Sequence, residues 1–396
     1  MNKIVPLATI CKYIRGITFK PEDKVEIGTV DSAICMRTKN IQKILDESDL
    51  IAISKKHVKR KEQFLETGDI LISSANSWDL VGKCVQVPKL KYEATAGGFI
   101  SILRPDSSQV DSNYLFYWLS SNSIQLKVRY CARQTTNIAN LDANQFLDLE
   151  IPLPPLPEQK RIAAILDKAD AVRRKRQETI RLLDEFLRSV FLEMFRDPVR
   201  NGKGWEVHTL DFCCNKITDG THQSPKFVNS GIPFIFVSNI IQNEINYNTT
   251  KFISKDTYLE LTKSTPIEIG DLLYTIVGSY GNPAIVKSDR KFCFQRHIAH
   301  LKPNPIKINS LFLLGLLKSD FIKMQVDGLV KGIAQKTLNL SELKSLKVFL
   351  PPMGLQNKYG IILEKTEQQK EQVIKSLSEM ENGFNSMLQK AFRGEL

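Results

Sequence analysis

The chain lacks most of what an autonomous DNA enzyme or an exported protein would carry. No Gly-x-x-x-x-Gly-Lys-Ser/Thr phosphate loop occurs, because Gly82-Lys-Cys and Gly202-Lys-Gly have neither the glycine spacing nor the hydroxyl. No Gly-x-Gly-x-x-Gly follows a strand-like run, so a dinucleotide fold has no support. Asn282-Pro-Ala and Asn304-Pro-Ile miss the second proline and the aromatic ring of an amino-methyltransferase site that clamps a flipped base. Gly278-Ser-Tyr-Gly281 is one residue short of a nucleophile elbow. His297 and His300 flank Ile-Ala in a strand-like run with no carboxylate cluster nearby, which argues for packing or a DNA-facing role over a metal pair. The seven cysteines form no Cys-x-x-Cys pair and sit in apolar segments, as expected of thiols used as small hydrophobes in a reducing cytosol. The start Met1-Asn-Lys-Ile-Val-Pro has no apolar core of a signal peptide. The most apolar run, Leu311–Leu317, is too short to cross a bilayer. The expectation is a soluble cytoplasmic protein without catalytic centre, metal or cofactor of its own.

What the chain does have is positive charge and a copy of itself. With 55 Lys+Arg against 43 Asp+Glu the net charge is +12, which favours polyanions through counterion release, although a merely soluble basic surface has the same composition. The run Ile151-Pro-Leu-Pro-Pro-Leu-Pro-Glu-Gln159, followed by a heptad-like stretch ending Met194-Phe-Arg196, returns as Val348-Phe-Leu-Pro-Pro-Met-Gly-Leu-Gln356 ending Ala391-Phe-Arg393, at a constant offset of 197. Upstream, Gly68-Asp-Ile-Leu71 and Gly270-Asp-Leu-Leu273 correspond at 202, and Leu7, Ile10 and Ile14 match Leu210, Cys213 and Ile217 at 203. The offset drifts in the globular parts and is fixed in the helical ones, so loops have absorbed insertions while helix length has been held. A chain duplicated in this way can fold with an internal pseudo-two-fold axis, matching a quasi-two-fold ligand.

The pattern predicts an α+β chain with two similar mixed globular domains, 1–153 and 201–350, and helical regions over 154–200 and 351–396. Strands are expected at Ile70–Ser73, Gly82–Val87 and Phe99–Leu103, then at Pro233–Val237, Leu272–Val277, Ala284–Val286 and His297–Leu301. Asn113–Leu119 and Leu311–Leu317 read as helices. The pairs Pro154-Pro155 and Pro351-Pro352 enforce extended backbone before a long helix. From 158 to 195 that helix would run roughly 57 Å at about 1.5 Å per residue, longer than a globular domain of this size uses internally. Its stripe is Ile162, Ile165, Ala169, Val172, Ile180, Leu183, Leu187, Val190 and Met194; the partner stripe is Tyr359, Ile362, Thr366, Val373, Leu377, Met380, Phe384, Met387 and Ala391. The two are expected to pair as an antiparallel two-helix coiled coil, with the globular domains at opposite ends.

The candidate recognition residues fall at corresponding places in the two halves. In the first, Lys55, Lys56, Lys59, Arg60 and Lys61 place five cations in seven residues, a phosphate-binding segment or a solvated face. Arg133, Gln134, Thr135 and Asn137, with Asn76, offer donors and amides suited to guanine and adenine edges. In the second, the counterparts are Thr221, His222 and Gln223 in a tight polar turn, Ser279 and Tyr280, Gln295 and Arg296, and Lys331, Gln335 and Lys336.

These features resemble the specificity subunit of a type I restriction-modification system over essentially the whole chain. The residues that carry the likeness are Leu-Pro-Pro-Leu-Pro-Glu-Gln at 153–159 leading into Ile162-Ala-Ala-Ile-Leu166, its copy at 350–363, the two Gly-Asp-Ile/Leu-Leu runs, Asp219-Gly-Thr-His222 and the final Ala-Phe-Arg-Gly-Glu-Leu. The copies differ: Gly354-Leu-Gln356 stands where the first has Pro157-Glu-Gln159, and Lys12-Tyr-Ile-Arg-Gly16 where the second has Asp-Gly-Thr-His. The resemblance implies two target recognition domains, each reading half of a bipartite site in double-stranded DNA. It implies that the helices set the half-site spacing and dock two methyltransferase subunits, with Pro154, Pro155, Glu158, Gln159, Pro351, Pro352 and Gln356 as the partner-binding positions. S-adenosylmethionine, Mg and ATP would then belong to the methyltransferase and restriction motor-nuclease subunits. The competing class is a coiled-coil protein adaptor that binds no nucleic acid, from which a steep salt dependence of DNA binding would distinguish it.

Overall fold

The structure is a computed structural model that describes residues 3–196, 201–241, 243–332 and 336–396. The chain divides into two compact units, Met1–Gln177 with Lys375–Leu396, and Glu178–Ile374. Each contains the α+β arrangement expected from the sequence, and the two are built to one plan.

In the first unit Ile70–Ser73 lies buried along its whole length, so its uninterrupted apolar run belongs to the middle of a sheet. Antiparallel neighbours are Ile100–Pro105 on one side and Cys84–Gln86 on the other, with Cys11–Arg15 beyond Ile100–Pro105. In the second unit Leu272–Thr275 occupies the same place between Ile298–Pro303 and Pro283–Ile285, with Cys214–Asp219 at the edge. A second sheet repeats too, through parallel pairs Ser32–Met36 with Ala94–Ala96 and Ile232–Ile235 with Cys293–Phe294. The strand before each proline pair closes its domain: Glu150–Leu153 pairs with Lys3–Pro6, and Lys347–Leu350 with Glu206–Thr209. Helices Ser112–Ser120 and Ser310–Leu317 stand where periodicity places them, each entered from an N-cap, Asp111 or Asn309, whose side chain accepts two backbone N–H bonds.

Buried carboxylates mark the plan as clearly as the strands. Asp69 accepts a bidentate pair from Arg104, at 2.8 and 2.7 Å, and takes the Glu66 N–H. Asp271, at the duplicate position, accepts from the His300 imidazole at 2.7 Å, from Lys302 and from the Glu268 N–H. Burial works to raise the Asp271 carboxyl, but His300 and Lys302 outweigh it and hold the group below the usual carboxylate range. No carboxylate cluster forms by His300 among the described residues, but the fold brings it a single carboxylate that the sequence did not show, Asp271 just before the neighbouring strand. Among the described residues no group of three or more His, Cys, Asp or Glu is placed to hold a metal.

The long helices are Leu156–Phe195 and Met353–Arg393. Ile162, Ala163 and Leu166 of the first join the core of the first unit, where Phe384, Leu388 and Ala391 of the second also lie. Leu187, Phe191 and Phe195 join the core of the second unit with Tyr359 and Leu363. Burying side chains of this size stabilises by about 1.5–3 kcal/mol each. Within each unit the two helical segments run antiparallel. In the first, Arg161 donates to the Leu396 carbonyl and Arg173 stacks over the Phe384 ring at 4.7 Å. In the second, Lys370 pairs with Asp184 while Phe191 meets Tyr359 at 5.4 Å between ring centres. The stripe is broken in the middle of the central helix. Val172, expected on it, is 48% exposed, and this stretch is held by pairs along the helix such as Arg173 to Asp170 and Arg181 to Glu178.

All seven cysteines are free, and burial pushes the thiols of Cys35 and Cys293 up to about 12, consistent with their role as small hydrophobes. No helix among the described residues is long and apolar enough to cross a membrane.

Candidate nucleic-acid interface

Three pieces of backbone meet at one end of the main sheet in each unit. In the first unit Ala75–Asn76 continues from the central strand and pairs with Ala139–Leu141, placing Asn76 opposite Ala139. Ala139–Leu141 is one arm of a hairpin whose other arm is Ala132–Gln134, closed by the Thr135 N–H on the Ile138 carbonyl. Arg133, Gln134, Thr135 and Asn137 are exposed on that hairpin, so the fold does bring Asn76 beside them. Arg133 is 81% exposed and pairs with Asp142, a rim interaction that leaves most of the guanidinium in solvent. Lys55–Lys61 is not part of this cluster. It follows Ala52–Ser54 on the other sheet and is divided between two short 3-10 turns, Lys55–His57 and Lys61–Gln63. Lys55 pairs with Glu93 and Arg60 with Glu62, while Lys56, Lys59 and Lys61 are exposed.

The second unit draws its candidates together more tightly. Thr221 bridges Gln295 in parallel, its N–H on the Phe294 carbonyl and its own carbonyl accepting from Arg296. Its hydroxyl donates to the Gln223 carbonyl, and His222 pairs with Asp219. One turn away, Val277 and Lys331 both bridge Thr337, and the Gly278 N–H bonds the Lys336 carbonyl. Tyr280 in this loop donates to Asp327, and Lys336 lies over its ring at 5.8 Å; Ser279 is exposed beside it. Lys331 pairs with Glu342. Gln335 lies outside the described residues. The clusters are joined where the Ile276 N–H bonds the His297 carbonyl. Burial, helped by the charge of Arg296, pushes the His297 imidazole down.

The proline-glutamine module has a different place from the one expected. Gln159 and Gln356, proposed as partner contacts, are buried. The Gln159 carbonyl accepts from the Asp111 N–H at 2.8 Å, and its amide donates to the Gln109 and Pro154 carbonyls. Gln356 repeats this with Asn309, Lys307 and Pro351. Each glutamine thus ties the first turn of a long helix to the N-cap of the domain helix, with no polar atom left for a partner. Pro154 and Pro351 are buried as well, whereas Pro155 and Pro352 are exposed and Glu158 is half-buried, paired with Arg161. Three repeated features escaped the sequence reading. Gly16 and Gly220 are required because a Cβ would sit 2.2 Å from the Gly97 or Phe294 carbonyl oxygen. Buried Asn40 and Asn239 each donate to two loop carbonyls, and the only signal for them was the shared Asn-Ile. Phe99 and His297 are equivalent: the Ser74 N–H bonds one carbonyl as the Ile276 N–H bonds the other.

Two copies of a mixed domain, each clipped to a segment of both long helices and each ending in a polar hairpin-and-turn cluster, define a duplicated recognition module. The family model for the type I restriction modification DNA specificity domain matches residues 2–182 and 202–379, and the chain belongs to that family. It is 25% identical to the type I restriction enzyme EcoKI specificity subunit of Escherichia coli (strain K12), over 99% of this chain and 89% of that protein. Identity is 27% to the putative type I restriction enzyme MjaX specificity subunit of Methanocaldococcus jannaschii, over 80% of this chain and 77% of that one. The fold is similar to the crystal structure of the S subunit of a type I restriction-modification system from M. genitalium, with a TM-score of 0.59 at 18% identity over 98% of this chain and 96% of that one. A chain from a structural study of assembly and conformational transition of the type I R-M system gives 0.52, at 18% identity over 100% of this chain and 98% of that one.

Proposed function

We propose that this chain is the DNA-specificity subunit of a type I restriction-modification complex, in which residues 1–153 and 201–350 are two target recognition domains, each reading one half of a bipartite site in double-stranded DNA. It supplies the address and no chemistry. Methylation of adenine with S-adenosylmethionine belongs to two methyltransferase subunits docked on the helical regions, and ATP-driven cleavage to restriction motor-nuclease subunits, all in the cytoplasm. The observation that carries this reading is the recurrence, in both units, of an exposed hairpin or turn cluster rich in Arg, Lys, Gln, Asn and Thr at the same end of the same sheet. Amide and guanidinium groups suit the acceptor and donor pairs of base edges, and the +12 charge suits phosphate. The named specificity subunits among the relatives support it. With Gln159 and Gln356 committed internally, the exposed Pro155 and Pro352 and the half-buried Glu158 remain as the docking positions of the module.

Long helices of fixed length set the distance between half-sites, which are read from one face about one helical turn, or about 10 bp, apart. Co-expression with the cognate methyltransferase subunit, followed by long-read mapping of modified adenines, should give a two-part motif with a fixed spacer. A half-heptad insertion in Leu156–Phe195 should change the spacer and leave both half-sites as they were; an unchanged spacer would refute the gauge.

A further inference from the structure

The first unit carries an exposed apolar residue beside its polar cluster. Phe99 stands at the corner of the Gly97–Ile100 turn with 66% of its surface exposed, and its carbonyl accepts from Ser74 and Ala75 next to Asn76. Tyr130, at the end of the helix that supports the hairpin, is 70% exposed and packs edge-on against Trp78 at 6.0 Å, and Ile138 at the hairpin tip is 47% exposed. A single exposed phenylalanine needs no explanation, but this one is held by its carbonyl at the root of the strand that carries Asn76 and pairs with the Arg133 hairpin, which puts it on the candidate recognition surface. At the equivalent position of the second unit the residue is His297, a ring that can hydrogen-bond.

Resting on the DNA-reading assignment above, we propose that Phe99 is a specificity-determining residue. Its ring wedges into one base step of the half-site read by the first unit, where His297 makes a hydrogen bond to a base in the other. The occupant is duplex DNA because the exposed Arg133, Gln134 and Asn137, on the hairpin beside this turn, carry the donors that base edges and phosphates accept. Apolar side chains entering the stack are a known means of kinking a duplex, and the ring contact is tolerant of base identity while the step's ease of unstacking is not. The two half-sites would therefore be discriminated by different physics: deformability in one, hydrogen bonding in the other.

The test uses the complex with its methyltransferase subunits and a duplex carrying the mapped motif, with 2-aminopurine placed in turn at each step of the first half-site. Apart from the adenine that the methyltransferase takes out of the stack, the wild-type complex should raise the fluorescence at one step. Phe99→Ala should abolish that signal and weaken binding about 10- to 100-fold, as loss of an aromatic-base contact does. It should leave the slope of log K against log salt unchanged, because no phosphate contact is lost. Phe99→Trp should restore both readouts. Binding by Phe99→Ala within twofold of wild type, or loss of the methyltransferase subunits in sedimentation, would overturn the proposal, the latter making the surface a protein contact. Absence of any duplex binding by the wild-type complex would refute the parent assignment itself.

Discussion

Replacing Gln159 by Met keeps the volume of a buried side chain and removes its amide. The Asp111 N–H then loses its acceptor, and the Gln109 and Pro154 carbonyls lose a donor. An orphaned buried donor costs about 1–3 kcal/mol and each lost neutral bond about 1 kcal/mol, so the three together should destabilise the first unit by about 3–5 kcal/mol. For a unit of this size that is a fall of about 10 °C in its melting temperature. Tryptophan fluorescence resolves the units, since Trp78 and Trp118 lie in the first and Trp205 in the second; a Trp205→Phe background isolates the first. Urea unfolding followed in that background should show the loss for Gln159→Met, while Gln356→Met should shift only the transition followed by Trp205. A change below 1 kcal/mol, accompanied by loss of methyltransferase binding, would show that this glutamine serves a partner and refute the anchor.

Asp271 gives a pH signature. Its carboxyl lies below its unfolded value, so its stabilisation is present above the ordinary carboxylate range and is lost as pH falls through that range toward the folded value. Melting of the second unit between pH 6 and 3 should steepen downward at the acid end, and Asp271→Asn should flatten that dependence while lowering stability at pH 7. Gly16→Ala and Gly220→Ala should each destabilise their own unit by about 2–3 kcal/mol, because the new methyl meets a carbonyl oxygen on a strand that cannot withdraw; calorimetry would report it. Arg133→Ala removes an exposed guanidinium assigned to a base edge and should weaken DNA binding by about 1–3 kcal/mol and relax the motif at one position of the first half-site, as methylation mapping would show.

The duplication was legible because helices fix spacing. Gln159 and Gln356 stand 197 apart, as do the ends of both helices, so the plan could be read from numbers alone. Strands such as Ile70–Ser73 and Leu272–Thr275 announced themselves by short apolar runs beside a Gly-Asp turn. What could not be read was the destination of polar groups. A glutamine after two prolines looks like a surface residue until the fold brings the Asp111 N–H to it from 48 residues away. In the same way Lys55–Lys61 and Arg133–Asn137 both read as cationic or polar segments, yet they end up on different sheets, because strand order is decided by non-local pairing. Val172 failed as a core position for a simpler reason: periodicity gives the face of a helix and not whether a neighbour covers it.

The most direct measurement of the central claim is an exchange of residues 1–153 for the corresponding domain of another family member, co-expressed with the methyltransferase subunit and read by long-read mapping of modified adenines. Independent reading by the two domains predicts that one half of the motif changes while the other half and the spacer stay as in the parent. A motif altered in both halves, or one that keeps both, would contradict it.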